Sequence, residues 1–241
     1  MDRINADKMH FKTLNEYIRR SPDSEITVEN VIGHRFIGSG CIGKDIHIHG
    51  IPGNALGAYL NGAAIEVKGN AQDAVGDTMN DGEIVIHGNI GDAAGYAMRG
   101  GKIFVKGNAG YRAGIHMKAY QEKQPCLVIG GKAGSFLGEY QAGGTIIVLG
   151  LAEDSKPIVS NFPGTGMHGG KMFLRSSCSD IKFPGQVSAK KATAADLEEI
   201  KDYIYAFCKH FDYNADEILN SEFTLITPDS KNPYKQMYVA N

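Results

Sequence analysis

Short runs in which apolar residues alternate with others return every 19 residues through the middle of this chain. The copies are Ile46–Gly50 (IHIHG), Ile65–Gly69 (IEVKG), Ile84–Gly88 (IVIHG), Ile103–Gly107 (IFVKG), Leu127–Gly131 (LVIGG) and Ile146–Gly150 (IIVLG), with starts separated by 19, 19, 19, 24 and 19 residues. A seventh run, Met172–Leu174, begins 26 residues after Ile146. The longer gaps hold insertions of five residues near Ala119–Cys126 and of seven near Glu153–Pro163. Alternation with β-branched residues, closed by Gly, predicts a short strand. A fixed period of this length predicts a repeat in which each unit buries its apolar face against its neighbours. One coil of a parallel β-helix fits the period, and strands stacked about 4.8 Å apart would carry seven runs over roughly 30 Å.

The first and third positions of each run are apolar throughout, so both face the interior. Leu56, Val75, Ala94, Ala113 and Leu137, ten residues on, and Leu60, Met79, Met98 and Met117, fourteen on, would line other walls of the same core. Two Gly columns, one from Gly50 to Gly150 and one from Gly57 to Gly138, mark turns that need positive φ or close backbone approach. Asn70, Asn89 and Asn108 share one column, where they either hydrogen-bond from coil to coil or tolerate the left-handed region. The outward second position is different: it reads His47, Glu66, Val85, Phe104, Val128, Ile147, Phe173. An apolar outward column needs a cover, either the chain's own C-terminal helix or another protein, a second copy of the chain included.

The flanks are read as helix and cap. Leu14 to Arg20 predicts a short helix with Thr13 as N-cap, and residues 26–45 an irregular cap on the open end of the coils. After about residue 188 Gly disappears. Thr193 with Asp196 begins a helix whose stripe is Leu197, Ile200, Tyr203, Ile204, Phe207 and Phe211. Asn214 with Glu217 begins a second, and the last twenty residues, including Asn232–Tyr234, are extended and fold back on the repeat. The organisation expected is therefore 1–45 helix and cap, 46–187 parallel β-helix, and 188–241 helices and tail.

Composition narrows the function. A net charge of −2 without basic clusters argues against nucleic acid, and no apolar run approaches membrane-spanning length. Met1–Asn5 lacks the apolar core of a signal peptide. Cys41, Cys126, Cys178 and Cys208 are scattered, which suits reduced thiols in the cytoplasm.

Candidate chemistry is sparse. Gly38–Gly43 and Gly164–Gly169 match Gly-x-Gly-x-x-Gly, but each leads into another strand rather than a helix, and in a chain with 31 Gly the match is cheap. His49 and His87 share a column two coils apart, about 9.6 Å, too far for one zinc ion; with His47 they read as a solvated face. Asp73, Asp92 and Glu83 recur at repeat offsets and read as turn residues rather than an acid–base pair. The insertions are the most individual features: the first, with its flank, carries Arg112, His116, Lys118, Tyr120, Glu122 and Lys123, either a contact surface or a tolerated loop. The site residues expected are thus interface residues, Val85, Phe104, Val128 and Ile147 in the outward column and Arg112, His116, Lys118 and Tyr120 at the insertion, with no catalytic, cofactor or metal residue.

The segments Gly69–Gly76 (GNAQDAVG), Gly95–Ile103 (GYAMRGGKI), Gly130–Tyr140 (GGKAGSFLGEY), Ala142–Gly150 (AGGTIIVLG) and Asn161–Gly170 (NFPGTGMHGG) resemble, in order, the C-terminal GXGXG domain of the glutamate synthase large subunit. A related domain forms one of the subunits of formylmethanofuran dehydrogenase. The likeness covers roughly residues 26–187. It implies a right-handed, single-stranded parallel β-helix, an all-β solenoid with a C-terminal helical extension. It also implies a non-catalytic scaffold between glutaminase and FMN-binding domains. Those partners hydrolyse glutamine, pass ammonia to 2-oxoglutarate and reduce the imine. Asp2 stands where the glutaminase carries its N-terminal Cys nucleophile, and the chain shows neither a flavin barrel nor a Cys cluster. What carries over is the scaffold role, as a stand-alone subunit of a split glutamate synthase-type complex, with FMN and iron–sulfur on the partners. The alternatives are the same scaffold in a formylmethanofuran dehydrogenase-like complex, or an independent enzyme with its site at the insertion loops.

Overall fold

The computed structural model describes residues 1–151 and 156–229. The repeat runs become strands β3 (Asp45–Ile51), β4 (Asn61–Val67), β5 (Asp81–Ile86), β6 (Lys102–Val105), β7 (Cys126–Ile129), β8 (Ala142–Val148) and β9 (Gly169–Leu174). Before them come β1 (Asp2–Asn5), α1 (Phe11–Arg20) and β2 (Glu25–Ile32). After them come β10 (Val187–Lys191), α2 (Ala194–Glu198), α3 (Lys201–Phe211), α4 (Ala215–Leu219) and β11 (Thr224–Pro228). Neighbouring repeat strands are parallel, and the first apolar residues pair in register: Ile46 with Ile65, then Ile84, Ile103, Leu127, Ile146 and Met172.

The expected β-helix solenoid is corrected by this topology. The strands form one open, mixed sheet of 11 strands, ordered β1 to β9 and then β11 and β10, with short helices added. β11 runs antiparallel to both β9 and β10. A fixed period dictates parallel, in-register neighbours; it dictates neither closure nor the direction of strands outside it. The irregular cap expected at 26–45 is corrected too, because β2 pairs parallel with β3, Ile26 opposite Ile46. α1 begins at Phe11 with His10, not Thr13, as its cap. The segment 232–234 and residues 152–155 of the second insertion lie outside the described residues.

One face of the sheet buries the first- and third-position residues against the return segments, which supply Leu56, Leu60, Val75, Met79, Met98, Met117 and Leu137. Single parallel bridges link those segments, Ala71 to Ile90, Ile90 to Ala109, Ala109 to Ala133 and Ala133 to Val159. Side chains stitch the turns as well. Asn70 Oδ1 accepts the Asn89 N–H (2.8 Å), Asn89 Oδ1 that of Asn108 (2.7 Å) and Asn108 Oδ1 that of Lys132 (2.8 Å). Asp73 and Asp92 do the same for the N–H groups of Asp92 and Tyr111.

The Gly columns have different causes. At Gly88 φ is not positive; a Cβ there would collide with Asn70 Oδ1 and lie 2.8 Å from the Asn70 nitrogen, so the Asn ladder needs the space. Gly57 has φ +64 and its Cβ would fall 2.6 Å from Ile84 Cδ1. It is the middle of three alternate left-handed residues, Ala55, Gly57 and Tyr59, a pattern that later returns as Arg112, Gly114 and His116, and as Phe136, Gly138 and Tyr140.

The other face is covered by the C-terminal helices. Val85, Phe104, Val128, Ile147 and Phe173 are buried with Ile200, Ile204, Phe207 and Phe211 in a second apolar cluster. Thr193 and Asp196 form the capping box of α2, and Asn214 caps α4 by accepting from Asp216 and Glu217. The stripe read as one helix is split at Glu199–Ile200, the turn between α2 and α3.

Candidate functional site

Polar and aromatic side chains collect at the first insertion, at the uncovered end of the outward column, and around the helix-covered column. Val85, Phe104, Val128 and Ile147 lie beneath α3, so they are enclosed within this chain rather than offered at its surface. Phe207 Cζ sits where a Cβ on Gly130 would lie 2.6 Å away, so the helix packs close to the strand backbone.

At the first insertion the chain makes a tight turn: Tyr120 and Lys123 exchange backbone hydrogen bonds of 3.1 and 3.0 Å. Lys123 Nζ reaches back 2.7 Å to Asp81 Oδ2. Its ammonium holds the Asp81 carboxyl below the ordinary aspartate value, against a smaller opposing effect of burial. Tyr120 is exposed at the turn. Arg112 Nε pairs with Glu139 Oε2 at 2.8 Å, and its guanidinium lies 4.8 Å from the centre of the Tyr111 ring and 5.6 Å from that of Phe136. Phe136 also meets Tyr111 (5.3 Å between ring centres) and Phe162 (5.1 Å).

His116 and Lys118 come together, with Tyr140, Ala142, His168 and Gly169, around a hollow of about 560 Å³; Arg112 and Tyr120 do not line it. The His116 ring stacks on Tyr140 (5.2 Å, 8°) and meets Tyr96 edge-on (5.9 Å). His168 Nδ1 lies 3.0 Å from the Gly166 carbonyl, which can only accept, so that nitrogen carries the proton. Tyr140 and His168 escaped the sequence reading because they belong to later repeats. The usable signal was positional: Tyr140 falls at the same place in its turn as His116, which donates its backbone N–H to the preceding Glu139 carbonyl.

The uncovered end of the outward column holds an ion-pair network centred on Glu66. Its Oε2 lies 3.2 Å from His47 Nδ1 and its Oε1 2.8 Å from His87 Nε2, and Lys68 bonds the same Oε1. Burial raises the Glu66 pKa, but the bonds from Lys68, His87 and His47 together outweigh it and hold it at about 2. His49, the residue weighed with His87 from the sequence, is not part of the network; Glu66 is its hub. The Lys68 ammonium, 3.3 Å from His87 Nε2, would repel a metal cation. Among the described residues no group of three or more His, Cys, Asp or Glu converges on a metal position. His87 packs edge-on to Phe211 and His210 lies 3.2 Å from Glu83, so the network adjoins the end of α3.

All four cysteines are free and buried. Burial pushes the Cys208 thiol up to about 11 and raises those of Cys41, Cys126 and Cys178 as well, which disfavours the thiolate a nucleophile requires. No helix of the described residues is long and apolar enough to cross a membrane.

The family described as GXGXG motif matches residues 16–229. An uncharacterised protein of Methanocaldococcus jannaschii is 48% identical over 248 aligned residues, covering 98% of this chain and 95% of the relative. Among solved structures, a chain from the formyltransferase/hydrolase complex of Methylorubrum extorquens, crystallised with methylofuran, superposes with a TM-score of 0.60 at 18% identity, covering 92% of this chain and 89% of that one. At that identity the likeness bears on the fold alone. The ordered Gly-rich segments and the match across most of the sequence agree: this chain belongs to the GXGXG motif family.

Proposed function

We propose that this chain is a non-catalytic structural subunit of a split glutamate synthase-type complex, docking glutaminase-type and FMN-binding proteins and binding no cofactor itself. The observation that carries the reading is the insertion face. Tyr96, Tyr111, Arg112, Tyr120 and Phe162 stand exposed there, mounted on turns cross-linked by backbone and Asn/Asp ladders. Aromatic residues and Arg on a rigid support are the composition of interface hot spots. On this reading Arg112, His116, Lys118 and Tyr120 contact partners, while the covered column serves the chain's own helices. FMN and iron–sulfur reside on the partners, and the assembly works in the cytoplasm.

A second reading, a scaffold in a formyltransferase/hydrolase-type complex, is favoured by the solved structure that covers most of this chain. Assay of the purified chain alone tests the scaffold role common to both readings. The expected result is no glutaminase and no glutamate synthase turnover; measurable turnover by the free chain would sink the role.

A further inference from the structure

The hollow beside the first insertion has a lining unlike the rest of the surface. His116, Lys118, Tyr140 and His168 supply two imidazoles, an ammonium and a phenol around about 560 Å³, and among the described residues no carboxylate lines it. The nearest acid along the chain, Glu139, is buried and committed to Arg112. Among the described residues, Lys118 makes no ion pair. In a chain whose net charge is −2, this is a local concentration of donors and positive charge.

The hollow is also built rigidly. The Gln141 carbonyl accepts the N–H groups of His168 (2.9 Å) and Gly169 (3.1 Å). The buried Gln141 amide donates to the carbonyls of Gly143 and Gly144 (3.2 and 3.1 Å). His116 is held between Tyr140 and Tyr96, and the His168 ring is oriented by Gly166. Donors fixed in place before a ligand arrives lose little entropy on binding it.

We propose that this hollow binds the oxyanion, carboxylate or phosphate, of a small ligand. Lys118 supplies the charge, and His116 and the Tyr140 hydroxyl supply directed donors. An imidazole keeps one N–H even when neutral, so the His116 donor does not depend on its charge. The site shares His116 and Lys118 with the proposed partner face, but binding by the free chain needs no partner protein, so its test succeeds or fails separately from the scaffold reading.

Titration calorimetry on the full chain, with inorganic phosphate in one arm and succinate in the other, tests it. The expected result is saturable one-to-one binding of at least one anion, and the arm that saturates identifies the oxyanion preferred. Lys118→Met should weaken that binding about tenfold, the loss typical of a charge-assisted bond. His116→Phe keeps the ring stack on Tyr140 while removing the donor, so it should weaken binding without lowering the melting temperature. Lys106→Met, outside the hollow, should leave it unchanged. Failure of both anions to saturate would overturn the proposal. So would unchanged binding in Lys118→Met and His116→Phe, or equal weakening by Lys106→Met.

Discussion

Removing the Phe207 ring is the sharpest perturbation of the cover over the apolar column. Phe207 is fully buried, meets Phe211 with ring centres 4.8 Å apart, stacks on Tyr213 at 5.8 Å, and its tip lies over the Gly130 backbone. Truncation removes the contacts of a fully buried ring, so Phe207→Ala should cost about 3–5 kcal/mol. For a chain of this size each kcal/mol lowers the melting temperature by about 2–4 °C, which makes a fall of roughly 10 °C. Loosening α3 should also expose Phe104, Val128 and Ile147 to an apolar dye. Thermal melts by circular dichroism, with dye fluorescence read below the transition, measure both. A shift under about 2 °C with no gain in fluorescence would refute the self-covering of this face. It would reopen the column to a partner protein or second copy.

Other expectations follow from the same contacts. Asn89→Ala removes the acceptor of the Asn108 N–H at an exposed turn, so it should cost about 1 kcal/mol and lower the melting temperature by about 2–4 °C. Gly57→Ala, which drives a Cβ towards Ile84 at φ +64, should destabilise more than Gly185→Ala, whose Cβ meets nothing within 4 Å; paired thermal melts decide it. Glu66 has a depressed pKa, so its network contributes stability above about pH 4.5 that is lost as pH falls towards 2; the excess stability of wild type over Glu66→Gln should shrink across that window in urea titrations. The four buried thiols should react with a disulfide reagent only slowly in the native protein and fast in denaturant; prompt native reaction at Cys208 would contradict its packing.

The register of the repeat was legible because its signal is redundant. Ile46, Ile65, Ile84 and Ile103 share a residue type, a spacing and a following Gly, and they are partners in the ladder. β2 was not legible for the complementary reasons. Its Ile26 precedes Ile46 by 20 residues, and Val31 rather than a Gly stands opposite Gly50. Nor could a period announce β10 and β11, which lie outside it and turn the sheet antiparallel. In sequence the Asn column is open to two meanings, and the ladder distances choose hydrogen bonding over left-handed geometry. The Glu66 hub was missed by comparing His49 with His87 along one column, when the contacts run diagonally to the neighbouring one. The His116 hollow needed the fold, since its lining spans from His116 to Gly169 and the repeat alone does not say which turns face one another.

The most direct test of the scaffold reading is to purify the endogenous tagged protein under gentle conditions and identify what accompanies it by mass spectrometry. Recovery of a glutaminase-like and an FMN-binding protein is the result the account predicts. Recovery of the chain alone, as a monomer or homo-oligomer, would contradict the docking role; formyltransferase- or hydrolase-type companions would contradict the glutamate synthase reading and install the second.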